Sequence, residues 1–243
     1  MSGTNSEREL LAEGPAIILV EPQLGENIGM VARAMANFGL SELRLVNPRD
    51  GWPSEKARAA ASKADHVIDG TRVYDTLEEA LSDLNFVYAT TARERYGFKP
   101  VRSPVVAAAT LRSKFAAGEA TGIMFGRERW GLTNEEVALA DEIVTFPVNP
   151  AFASLNIAQA VLLMSYEWMK SGLEDLAETS FQPLEQKPAT KEQLFGMVDY
   201  VEEALDARGY FRPASKKPKM VDNLRAVLTR RAYSEQEISI MRG

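Results

Sequence analysis

Apolar and polar positions follow two rhythms along this chain. Ala16-Ile17-Ile18-Leu19-Val20 is an unbroken apolar run of strand length, the pattern of a strand buried on both faces. Asn27 to Phe38 then places Ile28, Val31, Met35 and Phe38 at helical spacing, and Gly39 follows where a C-cap glycine belongs. Leu43–Val46 reads as a second strand, closed by Asn47-Pro48. Ser54–Ala61 reads as an alanine-rich helix and His66-Val67-Ile68 as a short strand. Thr76 followed by Glu79 makes a capping box for a further helix. Phe86–Ala89, Thr121–Phe125 and Glu142–Phe146 complete the predicted strands. Strands alternating with helices predict an α/β fold around a parallel sheet.

The rhythm changes after Lys170. Ser171 to Pro188 carries Gly172, Pro183 and Pro188 together with Glu174, Asp175, Glu178 and Glu185, the composition of a linker. Only helical segments follow, at Lys191–Ala207, Met220–Arg231 and Ser234–Met241. The expected organisation is a short N-terminal extension (1–14), an α/β domain (15–170), a linker (171–190) and a small all-helical appendage (191–243).

Composition narrows the chemistry. The 243 residues are 45% hydrophobic and 26% charged, which is globular and argues against disorder of the whole chain. There is no cysteine, so disulfides, thiolate metal sites and cysteine nucleophiles are excluded. The single histidine, His66, leaves no multi-histidine metal site, and it reads as structural. No metal is therefore expected. Met1 to Gly14 lacks a basic segment before an apolar core, and apolar stretches such as Ala158–Met164 are too short to span a bilayer. A cytoplasmic protein with no membrane partner is expected.

The net charge of −6 does not mark a nucleic-acid binder, but it is unevenly distributed. From Arg208 to Arg231 eight basic residues stand against one acidic one, with Tyr210 and Phe211 interleaved. Such a segment can sit on phosphates and stack on bases, or it can be a solvated helical face. A second basic cluster, Arg93, Arg95, Lys99 and Arg102, follows the Phe86–Ala89 strand. In open parallel sheets, ligands bind at such strand C-termini.

Familiar nucleotide motifs are missing. Gly25-Glu26-Asn27-Ile28-Gly29 does not fit GxGxxG, and no GxxxxGK[ST] occurs. An unrelated α/β enzyme with a nucleotide cofactor is therefore disfavoured. Glu135-Glu136 follow Thr133 at a helix start and read as cap and dipole residues.

Three blocks carry a stronger signal, each at a strand-to-helix junction. They are Asn27-Ile28-Gly29-Met30-Val31-Ala32-Arg33 through Gly39, Phe125-Gly126-Arg127-Glu128-Arg129-Trp130-Gly131-Leu132-Thr133-Asn134-Glu135-Glu136, and Pro147 through Ala160 around Phe152-Ala153-Ser154-Leu155-Asn156. Arg33 lies between Ala32 and Ala34, an apolar setting in which a guanidinium needs a carboxylate or phosphate partner. An ion pair with Glu128 or Glu26 would satisfy it without any function. Asn27 and Arg33 are six residues apart, so they stand on different sides of a helix and need not touch. Gly126 and Gly131 allow backbone to approach a ligand closely. Ser154 precedes an apolar helix, where it reads as an N-cap.

In this order and over this length, the three blocks resemble the signature motifs of the SpoU branch of the SPOUT methyltransferases. The second block resembles most closely the bacterial tRNA ribose 2′-O-methyltransferases that act on nucleotide 32 of the anticodon loop. The similarity extends through Asn223-Leu224-Arg225, Thr229-Arg230-Arg231 and Ile240-Met241-Arg242-Gly243, so only the first fifteen or so residues fall outside it.

The resemblance implies a Rossmann-like parallel-sheet domain with a C-terminal trefoil knot, a path that general rules of chain connection would not propose. It implies S-adenosylmethionine as cofactor, leaving as S-adenosylhomocysteine, with Thr90, Thr91, Ala92, Gly126, Phe146, Ala153, Ser154 and Leu155 as its contacts. Arg33 matches the catalytic arginine, with Ser154, Asn27 and Asn156 completing the catalytic set. Arg93, Arg95 and Arg127 would lie near RNA, and Lys216, Lys217, Lys219, Arg225, Arg230 and Arg231 would grip tRNA. A homodimer with the active site at its interface is implied as well.

The chain departs from the pattern at Glu26, where a glycine often stands, and at Phe152-Ala153, where Tyr-Ser is more usual. A guanidinium stays protonated, so Arg33 is read as clamping a phosphate and polarising the target hydroxyl rather than as a base. The hydroxyl proton would leave through that phosphate, Ser154 or water. The same chemistry on ribosomal RNA, or a non-catalytic RNA binder of the same fold, are the competing readings.

Overall fold

The computed structural model describes residues 10–93, 99–173 and 186–242. The chain divides into two compact units, Met1–Glu178 and Thr179–Gly243.

The first unit is built on seven strands: β1 (Ala16–Val20), β2 (Leu43–Val46), β3 (Arg72–Tyr74), β4 (Phe86–Thr90), β5 (Val101–Arg102), β6 (Thr121–Phe125) and β7 (Glu142–Val144). They form one sheet in the order β3-β2-β1-β6-β4-β7-β5, and every pairing is parallel. Seven helices accompany them: α1 (Gly25–Asn37), α2 (Glu55–Ala61), α3 (Asp65–Asp69), α4 (Leu77–Leu81), α5 (Pro104–Ala116), α6 (Asn134–Ala138) and α7 (Ile157–Lys170).

Alternation of side chains along buried strands splits the core into two layers. Ile17, Leu19, Leu43, Leu45, Tyr88, Ile123, Phe125 and Val144 face one side, where α1, α2, α3, α5 and α7 cover them. Ala16, Ile18, Val20, Val87, Ala89, Met124 and Ile143 face the other, under Leu77 and Ala80 of α4 and Val137 of α6. Arg44 of β2 shares that second side and is 2% exposed. Its guanidinium is neutralised by Glu42 and Asp83 and donates to the Ala80 carbonyl at 2.6 Å. Helix α1 lies tightly on α2 because Gly29 has no side chain: a Cβ there would stand 2.1 Å from the Ala57 carbonyl oxygen.

Three expected elements change. His66-Val67-Ile68 is not a strand but lies in α3, whose buried residues are Val67 and Ile68. A short apolar pair fits either element. The true strand, β3, follows a few residues later and is largely exposed, so it carries no apolar run. β5 and α5 lie outside the predicted elements, although Ser103 caps α5 and Pro104 opens it. The last strand ends at Val144, short of Phe146, which packs against the core beyond the strand's end. At Thr76 half of the expected capping box is present: its hydroxyl accepts from the Glu79 amide.

The second unit contains α8 (Lys191–Ala207), α9 (Lys217–Thr229) and α10 (Glu235–Arg242), with a short 3₁₀ turn at Ala214–Lys216. Its core is Leu194, Met197, Val198 and Ile238, with Val201, Leu228 and Tyr233 packed against them. Part of the expected linker belongs to this unit. Pro188 bridges to Ser234, the Ala189 amide donates to the Tyr233 carbonyl, and Thr190 caps α8. Phe211 is 4% exposed and packed, so of the two interleaved aromatics Tyr210 alone faces solvent, at 57%.

Candidate active site

The second and third sequence blocks meet the segment after β4 at the carboxyl ends of β6, β7 and β4, neighbours in the sheet, and the first block joins them through Asn27. After β4 the chain runs through Thr91, Ala92 and Arg93. After β6 it turns at Gly126. After β7 it passes Phe146 and Val148 before returning through Ala153–Leu155 to α7. These segments enclose a cleft of about 380 Å³. That is within the range of small-molecule sites, roughly 300–1,000 Å³. All eight residues expected to touch the cofactor line it: Thr90, Thr91, Ala92, Gly126, Phe146, Ala153, Ser154 and Leu155. Phe125, Ile157 and Ala160 add apolar wall, and Arg93, Glu128, Arg129 and Trp130 add charge and an indole.

The Gly126–Leu132 loop folds back on itself. Gly131 takes a left-handed φ of 67° and its amide donates to the Arg127 carbonyl at 2.8 Å. A Cβ on Gly126 would stand 2.2 Å from backbone atoms of Gly131 and Leu132, so glycine is required there. Arg127, on the loop itself, ties it to neighbouring elements. It donates to Glu21 just past β1 at 2.8 Å, and its other nitrogens bind both oxygens of Glu136 at 3.1 and 2.9 Å. Those bonds raise the Arg127 pKa, and the Arg127 hydrogen bond holds the Glu21 carboxyl below its ordinary range. Arg127, expected near RNA, lines the cleft, and its side chain is 11% exposed and engaged by Glu21 and Glu136. Glu136 also closes the capping box with Thr133, as its position after the cap predicted.

A polar chain joins the blocks. The Asn156 amide donates to Asn27 Oδ1 at 3.2 Å, and Asn27 Nδ2 donates to Glu128 Oε1 at 3.0 Å. Glu128 also accepts from the Gln23 amide, at 3.2 and 3.1 Å. Asn156, not Ser154, is the N-cap of α7: its Oδ1 accepts from the Ala158 amide at 2.8 Å, and Gln159 returns the bond. A competent cap two residues later displaces Ser154 from that duty. The Ser154 hydroxyl is exposed on the cleft wall instead.

Arg33 stands apart. It is on the exposed face of α1 with Glu26, Met30 and Asn37, not among the residues lining the cleft. Neither expected ion pair forms: Glu128 bonds Asn27, and Glu26 pairs with Lys56 at 3.5 Å. The apolar setting inferred from Ala32 and Ala34 belongs to those buried neighbours alone.

Of the other basic residues, Arg93 is exposed on the cleft, and Arg95 lies outside the described residues. In the second unit Lys217 pairs with Asp206, Arg225 with Asp199 and Glu202, and Arg231 with Glu237. Lys216, Lys219 and Arg230 are exposed and form no ion pair among the described residues. No group of three or more metal-ligating side chains occurs among the described residues, and no helix there is long and apolar enough to cross a membrane.

Comparison with known proteins agrees with this geometry. Residues 14–166 match the SpoU rRNA Methylase family. The tRNA (cytidine/uridine/adenosine-2′-O-)-methyltransferase TrmJ of Pseudomonas aeruginosa is 37% identical over 237 residues, covering 93% of this chain and 90% of that protein. The crystal structure of TrmJ from Z. mobilis ZM4 superposes with a TM-score of 0.76 at 48% identity, covering 94% and 96% of the two chains. A probable methylase family protein from Haemophilus influenzae Rd KW20 superposes at 0.60 with 30% identity. With two of its motif segments lining one cleft, the third tied to them through Asn27, and likeness over both units, the chain belongs to the SpoU methylase family.

Proposed function

We propose that this protein transfers a methyl group from S-adenosylmethionine to a ribose 2′-hydroxyl of tRNA, at nucleotide 32 of the anticodon loop. The observation that carries the reading is the convergence of the eight expected cofactor contacts on one cleft. The residues fit the cofactor: Phe125, Phe146, Leu155 and Ile157 offer apolar wall to an adenine, and threonine, serine and backbone groups offer polar partners. When bound, the cofactor supplies an activated methyl group on a sulfonium.

The remaining chemistry falls to the protein and is largely positional. The 2′-oxygen must be held in line with the methyl group. Asn27, Asn156 and Glu128 brace the cleft walls through their polar chain. Arg33 clamps the phosphate beside the target ribose and polarises its hydroxyl, whose proton passes to that phosphate, Ser154 or water. Arg93 and Arg129 on the cleft and Lys216, Lys219 and Arg230 on the helical unit are exposed cations outside the ion pairs of the described residues, and can meet phosphates. These contacts are salt-sensitive by nature.

A single chain leaves Arg33 outside the cleft, which supports a homodimer in which each Arg33 serves a site at the interface. Exposed apolar side chains on neighbouring helices support the same reading: Leu24 at the N-cap of α1 and Met30 on it, and Leu162, Leu163 and Tyr166 on α7. A trefoil path through the cleft segments belongs to this reading too, as does a cytoplasmic location.

The family description names rRNA, whereas the Pseudomonas aeruginosa and Pectobacterium atrosepticum relatives, each matched over 93% of this chain, are named for tRNA. One similar structure is described as concerning C/U34 of tRNA. Methyl transfer from labelled S-adenosylmethionine to unmodified tRNA transcripts, with the nucleotide mapped, separates these. Label on ribose 32 is the expected result. Label at 34 corrects the position, and label on ribosomal RNA alone overturns the substrate.

A further inference from the structure

Trp130 stands between Arg129 and Gly131 in the second block. It lines the cleft, yet 51% of it is exposed. The other two tryptophans are differently placed. Trp168 is 2% exposed beneath the Arg112 guanidinium, and Trp52 is packed against the core. The ring contact Trp130 makes is with a cation, the Arg129 guanidinium at 5.2 Å.

Its mount is fixed on both sides. The Gly131 amide is bonded to the Arg127 carbonyl, and Arg127 is anchored to Glu21 and Glu136. An indole half in solvent on a braced loop at a cleft wall, beside Arg129 and Arg93, has the make-up of a stacking platform for a nucleobase. The aromatic face takes the base, and the neighbouring cations favour its phosphates.

The reaction creates the need for such a platform. A ribose hydroxyl enters the cleft only if its nucleotide leaves its stack, and the displaced base then needs another surface. We propose that Trp130 stacks on the base of the nucleotide being methylated. This rests on the methyltransferase reading above. Stacking tolerates any base, so the contribution is to capture of the nucleotide rather than to choice between pyrimidines.

The test compares Trp130→Ala and Trp130→Phe with the wild-type full chain on two substrates. One is a tRNA transcript; the other is the same transcript lacking the base, but keeping the ribose, at the target nucleotide. On intact tRNA, Trp130→Ala is expected to lower kcat/KM roughly 5- to 150-fold, the range for loss of one stacked base. Trp130→Phe should recover most of it, and the affinity for S-adenosylmethionine should not change. On the base-free transcript, Trp130→Ala and wild type should behave alike.

An unchanged kcat/KM for Trp130→Ala on tRNA overturns the proposal. So does an equal loss on the base-free transcript. A matching loss of cofactor affinity also overturns it, because the ring would then serve the adenine. If the wild type methylates no RNA, the functional reading falls and this one falls with it; if the wild type is active and Trp130→Ala matches it, this one falls alone.

Discussion

Asn27 is 5% exposed and uses both ends of its amide: Nδ2 donates to Glu128, and Oδ1 accepts from Asn156. Replacing it by alanine leaves the Asn156 amide without its acceptor and Glu128 with fewer donors. Asn27→Ala should destabilise the fold by about 1–3 kcal/mol, the cost of stranding such groups. It should weaken cofactor binding as well. Urea titration and calorimetry check this, and an unshifted urea midpoint would contradict the bracing role. At this scale sequence reading is strongest for identity and weakest for partnership. Asn27, Glu128, Asn156 and Ser154 stand out as polar residues at strand-to-helix junctions. That Asn27 meets Glu128 across a separation of 101 residues is invisible, because only the sheet order brings them together. The same blindness assigns Ser154 the cap that Asn156 holds, and Arg33 an ion pair that does not form.

Helix α1 carries Asn27 to Glu128 on the cleft wall, and its seat on α2 depends on Gly29. Alanine there gains about 1 kcal/mol of helix propensity. It also places a Cβ 2.1 Å from the Ala57 carbonyl, a backbone atom that has no rotamer to change. Overpacking of this kind costs about 1–3 kcal/mol, so Gly29→Ala should lower the thermal midpoint despite the better helix former. A raised midpoint would show that the two helices can part. Elements dominated by buried apolar residues are legible in the sequence: β1, β2 and β6 end where their apolar residues end. Elements at the sheet edges are not. β3 and β5 are short and exposed, and their ladder bonds come from neighbours that the local sequence does not name. Helix α5 was within reach of sequence reasoning, since a serine cap followed by proline marks a helix start.

At the scale of the molecule, the alternation of strands and helices, the composition shift after Lys170 and the all-helical remainder are all legible. The order of the sheet is not, and neither is the cleft that depends on it. β6 inserts between β1 and β4, and this places the Gly126 loop beside the segments following β4 and β7. Arg33 completes the picture by its isolation: exposed on α1, away from the cleft walls, and useful in the proposed chemistry only where two chains and an RNA meet. Its replacement separates folding and cofactor binding from catalysis. The deciding measurement is therefore made on full-length Arg33→Ala, reading unfolding midpoint, S-adenosylmethionine affinity and methyl transfer to unmodified tRNA side by side with the wild type. The expected result is an unchanged midpoint and affinity with transfer reduced at least about 100-fold, as for loss of a principal electrostatic contact to the reacting group. Near-normal transfer by Arg33→Ala would contradict the assignment of Arg33 to the reaction, and with it the account of this site.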